Sequence, residues 1–368
     1  MSWHIFVLVW GDEFVDRFAR FAVPSLALPG NMPVLAKDDR VFIHAYTDEG
    51  SRASVETALA PMANFARIDV RIFDDTAALG RRGPDYKYEL QRWCLRDLVC
   101  SLDNGTLILL DSNFVLADGA FGILSQRRRA GYSAATVSVL RVMTTLFVAN
   151  LAPALANGAS CAPRQMMRLA WPAMHHITRS FFVDAEPFTP YPSQLSWRIG
   201  DEGFVNRNFL PHPLMIPVSA KVALSQSTMD YDLALRLVDD DKIYVCRDSD
   251  EILVLKFSDE EHQASRSGTI GPTAQDIGLF LLACTNQRHR LFADASVQFH
   301  MGDVDERFTN AAADSQVFID AAYDWIFRTA SQPARLDARL LMYLKSHLGP
   351  IEDFMSPQLE PAALARLL

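Results

Sequence analysis

A run of apolar residues that ends in short polar ones limits the possible folds of this chain more than any other feature. Residues 106–110 read Thr-Leu-Ile-Leu-Leu, and Asp111-Ser112-Asn113 follow directly. A short continuous apolar run bounded by polar residues is typical of a strand buried on both faces of a parallel sheet. In open α/β sheets, ligands bind outside the carboxyl ends of the strands. The sequence therefore predicts a polar ligand site at the end of this strand.

Strand-like and helix-like segments alternate over the first third of the chain. This alternation predicts βαβ units and a mainly parallel sheet, the α/β class. Further on, we expect a strand over 134–142, a helix over 274–284 and a proline-rich irregular stretch over 187–217. The early strands are predicted at residues 5–10, 41–46 and 70–73, and the early helices at 13–27, 51–60 and 86–102.

Composition excludes several classes of protein. Of the 368 residues, 49% are hydrophobic and 21% are charged, which is typical of a folded globular chain. The net charge of −9 disfavours general binding to nucleic acid. No apolar run approaches the roughly 20 residues that span a bilayer, and no basic stretch precedes an amino-terminal apolar run. The five cysteines include no CxxC pair, so we expect reduced thiols in a cytoplasmic protein.

The segment from Lys87 to Phe121, which contains the apolar strand and its Asp111-Ser112-Asn113 turn, resembles the Asp-x-Asp region of GT-A glycosyltransferases. The resemblance implies a GT-A-like, Rossmann-type sheet flanked by helices and a nucleotide-sugar donor. It places the nucleoside at the ends of the first two strands and the diphosphate at the Asp-x-Asp turn. The residues implied for donor binding are Trp10, Gly11, Asp12, Thr47, Asp48, Lys87, Arg92, Asp111 and Ser112.

The same resemblance implies a divalent metal, Mn²⁺ or Mg²⁺, held by Asp111, Asn113 and His300. Asn113 stands where the family pattern has a second aspartate, so the turn supplies one charge instead of two. Two alternatives follow: the protein uses no metal, or Asp111 and Asn113 only cap a turn. Another acidic triplet, Asp248-Ser249-Asp250, also follows a strand-like segment and by charge alone is the better metal site. The favoured interpretation is an exposed hairpin turn, with the metal site as the alternative.

Asp201 and Glu202 are the candidates for catalysis. The stretch from Gly200 to Arg207 resembles the acidic pair and following arginine of inverting GT-A enzymes, in which a carboxylate deprotonates the acceptor hydroxyl. Glu202 is the preferred base, and the alternative is that the pair begins a helix. Trp197 and His212 are candidates for binding the acceptor, with burial in a core as the alternative interpretation of the tryptophan.

These patterns predict a GT-A-like domain over residues 1–310 and a carboxyl-terminal helical extension over 311–368 that packs on it or forms a homodimer. The implied activity is transfer of a sugar to a glycan, lipid-linked or protein acceptor. The implied setting is bacterial polysaccharide or glycoprotein assembly, in the cytoplasm or at the inner face of the membrane. The alternative is a noncatalytic GT-A-like binding or scaffold protein. A nucleotide-dependent oxidoreductase is disfavoured, because no Gly-x-Gly-x-x-Gly or Walker A sequence occurs.

Overall fold

The computed structural model describes residues 1–73, 84–156, 161–224, 229–259 and 271–330. The chain forms two compact units, both of them discontinuous in sequence. The first unit contains Met1–Ala173 and Pro211–Asp259, and the second contains Met174–Leu210 and Glu260–Leu368. The chain thus leaves the first unit after Ala173, returns to it at Pro211, and leaves it again after Asp259.

The described residues form thirteen strands and thirteen α-helices. The strands are β1 (Ser2–Leu8), β2 (Arg40–Thr47), β3 (Arg67–Ile72), β4 (Thr106–Asp111), β5 (Phe114–Leu116), β6 (Ala134–Val137), β7 (Val139–Met143), β8 (Gln194–Ile199), β9 (Gly203–Asn208), β10 (His212–Pro217), β11 (Ile243–Val245), β12 (Val254–Ser258) and β13 (Val297–His300). The helices are α1 (Asp12–Arg17), α2 (Val23–Leu26), α3 (Met32–Asp38), α4 (Arg52–Leu59), α5 (Pro84–Cys100), α6 (Ala120–Arg129), α7 (Thr144–Ala156), α8 (Pro163–Ala170), α9 (His176–Arg179), α10 (Met229–Leu237), α11 (Ala274–Cys284), α12 (Arg290–Ala293) and α13 (Glu306–Ala330).

A seven-stranded sheet forms the centre of the first unit, in the order β3-β2-β1-β4-β10-β6-β11. All its neighbours are parallel except β10, which is antiparallel to both β4 and β6. The predicted mainly parallel sheet flanked by helices is confirmed. The strand order reverses between β1 and β4, which makes their carboxyl ends the topological switch point where ligands bind in such sheets.

The apolar runs of β1 and β4 form the core of this sheet. Every residue of β4 except Asp111 is buried, and so is every residue of β1 after Ser2. Ile5, Val7, Ile108 and Leu110 belong to one continuous cluster of buried side chains. A strand buried on both faces needs apolar residues at successive positions, which explains why these runs do not alternate with polar residues.

The first unit has a second sheet, in the order β5-β12-β7. Each of its strands follows a strand of the large sheet along the chain. The chain passes from β4 to β5 through Ser112-Asn113, from β6 to β7 through Ser138, and from β11 to β12 through residues 246–253. The predicted strand over 134–142 is therefore two strands in two sheets. The predicted hairpin around Asp248-Ser249-Asp250 is wrong, because its flanking strands pair in different sheets.

A buried amide, Asn31, fixes the chain that follows β5. Its side chain donates to the carbonyls of Ser25 (2.8 Å) and Ala117 (3.1 Å), and accepts from the backbone N–H of Phe121 (3.1 Å). Because an amide side chain can donate and accept at once, one residue joins the loop before α3 to the start of α6.

The second unit contains an antiparallel sheet in the order β13-β9-β8, and α11 and α13. Phe209, Ile277, Phe280 and Ile319 share its largest apolar cluster. The helix predicted over 274–284 has the observed bounds of α11. The stretch predicted to be irregular contains three strands, β8 to β10. Its prolines lie outside these strands except for Pro213 and Pro217 of β10, and the register of β10 with β6 shifts between His212 and Met215.

The predicted domain boundary after residue 310 falls within α13, a single helix over Glu306–Ala330. Residues 331–368 of the predicted extension lie outside the described residues. In the described part of the chain, no helix is both long and apolar enough to cross a lipid bilayer.

Candidate active site

Three strands deliver polar residues to one edge of the large sheet. Leu8 of β1 pairs with Tyr46 of β2 on one side and with Asp111 of β4 on the other. Because these strands are parallel, the residues after Leu8, the end of β2 at Thr47, and Asp111 all lie at the carboxyl edge. The predicted ligand edge is thus also the switch point of the sheet.

The loops after β1 and β2 are joined by hydrogen bonds. The Gly11 N–H donates to Ser51 Oγ (3.0 Å), and the Ser51 N–H donates to Asp48 Oδ1 (2.6 Å). Gly11 has φ of +80°, a backbone conformation that favours glycine. Trp10 is half-buried with its ring edge-on to Phe73 at 5.8 Å. The two loops predicted to hold the nucleoside therefore form one connected surface.

Thr47 is fully buried at the end of β2, and its Oγ1 has no hydrogen-bond partner among the described residues. A buried hydroxyl without a partner is costly, so such groups are rare and point to a missing ligand or water. Asp12, the last of the predicted residues in these loops, is exposed. Thr47 and Asp12 are thus available to a polar ligand in different ways.

The carboxylate of Asp111 lies between two lysines. Its Oδ2 is 2.7 Å from Nζ of Lys256 and 3.1 Å from Nζ of Lys87, and its Oδ1 accepts from the Asn113 N–H at 3.2 Å. Only 9% of the Asp111 side chain is exposed, against 19% for Lys256 and 42% for Lys87. We call these three residues the lysine–aspartate cluster.

Lys256 reaches Asp111 from β12, the middle strand of the small sheet. It pairs with Phe114 on β5 and with Arg141 on β7, and its Nζ lies 5.5 Å from the centre of the Phe114 ring. Directly paired residues project from the same face of a sheet. The small sheet therefore presents two cationic side chains next to the turn that follows β4.

The charges of the cluster are strongly coupled. Burial opposes ionisation of Asp111, but Lys256 and Lys87 outweigh it and hold the pKa of this carboxyl well below its usual range. Burial lowers the pKa of Lys256, and Arg141 and Lys87 act in the same direction against Asp111. A carboxylate in this position remains ionised at neutral pH.

The other predicted residues of the turn are buried. Ser112 and Asn113 are each 6% exposed, and the Asn113 carbonyl accepts from the Phe257 N–H at 3.0 Å. In the part of the chain that the structure describes, no donor reaches the side-chain oxygen of Asn113. Arg92, also predicted to bind the donor, forms an ion pair with Glu89 on its own helix.

The turn does not fit the implied divalent metal. Both carboxylate oxygens of Asp111 are engaged, and Asn113 adds a dipole but no charge. A cation placed at Oδ2 would also meet two ammonium groups. The third predicted ligand, His300, belongs to the second unit, where it is 1% exposed and its Nδ1 donates to the Gly302 carbonyl at 2.6 Å. We therefore assign no metal to this turn.

The acidic pair predicted to act in catalysis lies in the second unit. Asp201 and Glu202 are exposed in the turn between β8 and β9, so the alternative of a helix start is wrong. Glu202 forms an ion pair with Arg307, which also pairs with Asp305. The base role of Glu202 stays a prediction. The arginine of the same motif, Arg207, is 2% exposed and binds backbone carbonyls of its own unit.

The two candidates for acceptor binding differ in their surroundings. Trp197 is half-buried on β8, and its ring lies edge-on to Phe318 at 6.0 Å within the apolar cluster of the second unit. His212 is 6% exposed in the first unit, where its Nε2 donates to the Leu109 carbonyl (2.8 Å) and its ring packs against Phe114. Their role in acceptor binding remains a prediction.

The acidic triplet after β11 is internally bonded. The Asp250 N–H donates to Asp248 Oδ1 (2.7 Å), and Arg164 donates to Asp250 Oδ2 (2.7 Å). Glu251 forms an ion pair with Arg127. These contacts hold the segment that carries the chain from the large sheet to the small one.

Comparison with known proteins gave matches among solved structures alone. No family model matches the chain, and no curated protein does. Mouse xyloside xylosyltransferase 1 is 12% identical with a TM-score of 0.28, over 40% of this chain and 57% of that one. A Bacillus anthracis protein assigned as a glucose-1-phosphate thymidylyltransferase is 13% identical with a TM-score of 0.25, over 39% and 57%.

A mannosyltransferase from Pyrobaculum calidifontis, solved with GDP-Man and Mn²⁺, covers more of the chain. It is 10% identical with a TM-score of 0.36, over 99% of this chain and 84% of that one. By contrast, this chain spans little more than half the length of the xylosyltransferase and the thymidylyltransferase. All these likenesses are too low to assign an activity, which the residues of the site must supply.

Proposed function

We propose that this chain is a glycosyltransferase that moves a sugar from a nucleotide-sugar donor to a glycan, lipid-linked or protein acceptor. The observation that carries the proposal is the lysine–aspartate cluster at the switch point of a parallel sheet. Two ammonium groups share one carboxylate there, which leaves excess positive charge at the edge where such sheets bind ligands. A diphosphate is an anion of matching charge.

The neighbouring loops suit the nucleoside half of such a donor. The loops after β1 and β2 are joined through Gly11, Ser51 and Asp48, and the buried Thr47 hydroxyl has no partner within the described ranges. Ribose and base edges offer both donors and acceptors to groups of this kind. The loops would orient the nucleoside while the lysines hold the phosphates.

In the proposed reaction, the bond between the anomeric carbon and the diphosphate oxygen breaks, and its electron pair remains on the phosphate. The lysine ammonium groups stabilise this developing charge, which is the type of interaction that lowers a reaction barrier most. The acceptor oxygen forms the new bond to carbon. Its proton passes to a base, for which Glu202 is our candidate and Asp201 the second choice.

The proposal is tested by thermal unfolding with UDP-, GDP-, CMP- and dTDP-sugars, each with and without Mn²⁺. A donor at about 100 times its Kd adds roughly 2.7 kcal/mol to the free energy of unfolding, so the bound donor raises the Tm. Loss of donor sugar, by hydrolysis or transfer, is then followed with the donor that binds. If none of the four classes moves the Tm, the proposal is wrong.

A noncatalytic role is the second candidate, since Glu202 is already paired with Arg307 and Asn113 replaces an acid. Such a binding or scaffold protein would show the same shift in Tm but no donor turnover with any acceptor. Turnover that is lost in Glu202→Gln, with donor affinity retained, would instead support transfer and the base assignment.

A further inference from the structure

Both oxygens of the Asp111 carboxylate are already engaged by groups of this chain. Its Oδ2 contacts both lysine ammonium groups, at 2.7 and 3.1 Å, and its Oδ1 accepts the Asn113 N–H at 3.2 Å. The side chain is only 9% exposed, so its oxygens have little contact with solvent. A metal at Oδ2 would have to displace a lysine, and one at Oδ1 would have to compete with the Asn113 N–H.

Charge leads to the same result. Lys87 and Lys256 bring two positive charges to one negative charge, and Arg141 pairs directly with Lys256 in the small sheet. Adding Mn²⁺ or Mg²⁺ would place four positive charges around one carboxylate with little water to screen them. An anion, in contrast, neutralises the excess charge.

The substitution at the turn matches this arrangement. Mg²⁺ and Mn²⁺ sites use carboxylates that neutralise the ion, whereas Asn113 contributes a neutral amide whose Oδ1 has no donor in the described structure. A buried amide oxygen of this kind accepts from a hydroxyl of a sugar or ribose. The neutral amide at position 113 and the two lysines at Asp111 thus both favour an anion over a cation at this turn.

We infer that Lys87 and Lys256 bind the donor diphosphate directly and that this site works without a divalent cation. Asp111 is then a positioning residue: it holds the two ammonium groups side by side instead of ligating a metal. This inference rests on the proposed function and specifies how its donor is held. Lysine can hold phosphate as a point charge, as it does in other phosphate sites.

The test is calorimetric titration of the full chain with UDP, GDP, CDP and dTDP, each in excess EDTA and again in millimolar Mn²⁺. We expect the Kd of the nucleotide that binds to agree within about twofold between the two conditions. Lys256→Met should weaken binding by roughly 10- to 100-fold, since a hydrogen bond to a charged group is worth about 1.5–3 kcal/mol. Lys242→Met, at a half-exposed lysine paired with Asp241, is the matched control and should leave the Kd unchanged.

The variants separate charge from folding. Lys256→Arg keeps the positive charge on β12 and should bind more tightly than Lys256→Met, and circular dichroism reports whether each variant folds. If Lys256→Met does not fold, Lys87→Met serves instead, because that side chain is 42% exposed. A Kd that Lys87→Met leaves unchanged would overturn the inference.

The possible failures are distinguishable. Binding of a nucleoside diphosphate that requires Mn²⁺ and disappears in EDTA would overturn the metal-free site while leaving the proposed function standing. Absence of binding by all four nucleotides in both conditions would overturn both. Binding in EDTA that the lysine variants do not weaken would place the diphosphate elsewhere.

Discussion

Two lysines, instead of a second acidic residue, complete the polar group that follows β4. The sequence predicted Asp111 and Lys87 as donor-binding residues, and the structure brings them into contact at 3.1 Å. Lys256 was missed, because it follows Asp111 by 145 residues and lies in an apolar strand. The sequence did contain a signal for Lys256: it is flanked by Val254, Leu255 and Phe257, and a charge within a buried strand needs a partner.

Asp111→Ala should destabilise the fold and weaken donor binding, because the two lysines lose the residue that positions them. Removing the carboxylate leaves Lys256 buried without its counter-ion, and breaking a buried pair costs about 3–5 kcal/mol. Urea unfolding measures the change. The control is Asp241→Ala, whose carboxylate is 71% exposed and whose loss should cost less than about 0.5 kcal/mol.

The double variant Asp111→Ala with Lys256→Met, compared with the two single variants, completes a double-mutant cycle. It removes the stranded charge, so it should be more stable than Asp111→Ala alone by at least about 1 kcal/mol. Simple addition of the two single losses would show that the two residues do not interact.

Two histidines on the large sheet should make stability depend on pH. His4 Nδ1 lies 3.1 Å from His44 Nε2, and His44 Nδ1 lies 3.1 Å from Asp69. Burial, with His44 acting in the same direction, lowers the pKa of His4 from 6.5 to about 4. Burial also lowers the pKa of His44, against the hydrogen bond that its ring donates to Asp69.

The direction of this pH dependence follows from the number of protons that the folded and unfolded chains bind. Between pH 6.5 and about 4 the unfolded chain holds a proton on His4 that the folded chain does not, so acidification through this window destabilises the fold. We expect the free energy of unfolding to fall by roughly 2–3 kcal/mol over this window. Urea unfolding at several pH values measures the change. His4→Phe keeps a ring stacked on Phe42 and should flatten this slope; an unchanged slope would contradict the assignment.

At the scale of elements, local patterns predicted which segments are strands and helices but not which strands pair. The helix over 274–284 and the apolar strand before Asp111 have the predicted positions because their apolar spacing is local information. The strand over 134–142 divides at Ser138 because its halves pair with different partners, Val137 with β10 and Val139 with β12. Hydrogen-bond partners far along the chain decide such breaks, and a single sequence does not contain them.

Arg207 of β9 should be essential to the second unit. Its guanidinium donates to Ser315 Oγ (2.9 Å), to the carbonyls of Asp294 and Ala312 (both 2.8 Å), and to Gln316 (2.8 Å). Arg207→Met leaves buried carbonyls without donors and should cost about 2–4 kcal/mol by urea unfolding. Arg207→Lys should recover little of this, because an ammonium group cannot reproduce the planar fork.

The matched control on α13 is Arg328→Met, since that side chain is 78% exposed. Its effect should remain within about 0.5 kcal/mol. A lysine variant as stable as the original chain would show that charge alone, and not the fork geometry, matters at position 207.

At the scale of the whole molecule, the sequence predicted the fold class but not the division of the chain. The α/β class follows from the alternation of strands and helices, which local sequence patterns reveal. The first unit, however, is formed from two separated stretches, Met1–Ala173 and Pro211–Asp259. Nothing in the local pattern near residue 173 signals that the chain leaves one unit and returns, because β10 is an ordinary apolar strand until its partners β4 and β6 are known.

Net charge gives the whole molecule a further testable property. The chain carries −9, so its long-range field repels an anionic nucleotide sugar, while the lysine–aspartate cluster attracts it only at short range. Salt screens the distant repulsion more than partly buried contacts, because the Debye length falls to about 10 Å at 0.1 M. We therefore expect the association rate constant of the donor, measured by stopped flow, to hold steady or rise between about 20 and 200 mM salt. A rate that falls several-fold over this range would show that a local positive field steers the donor, and that the net charge of the chain does not govern its approach.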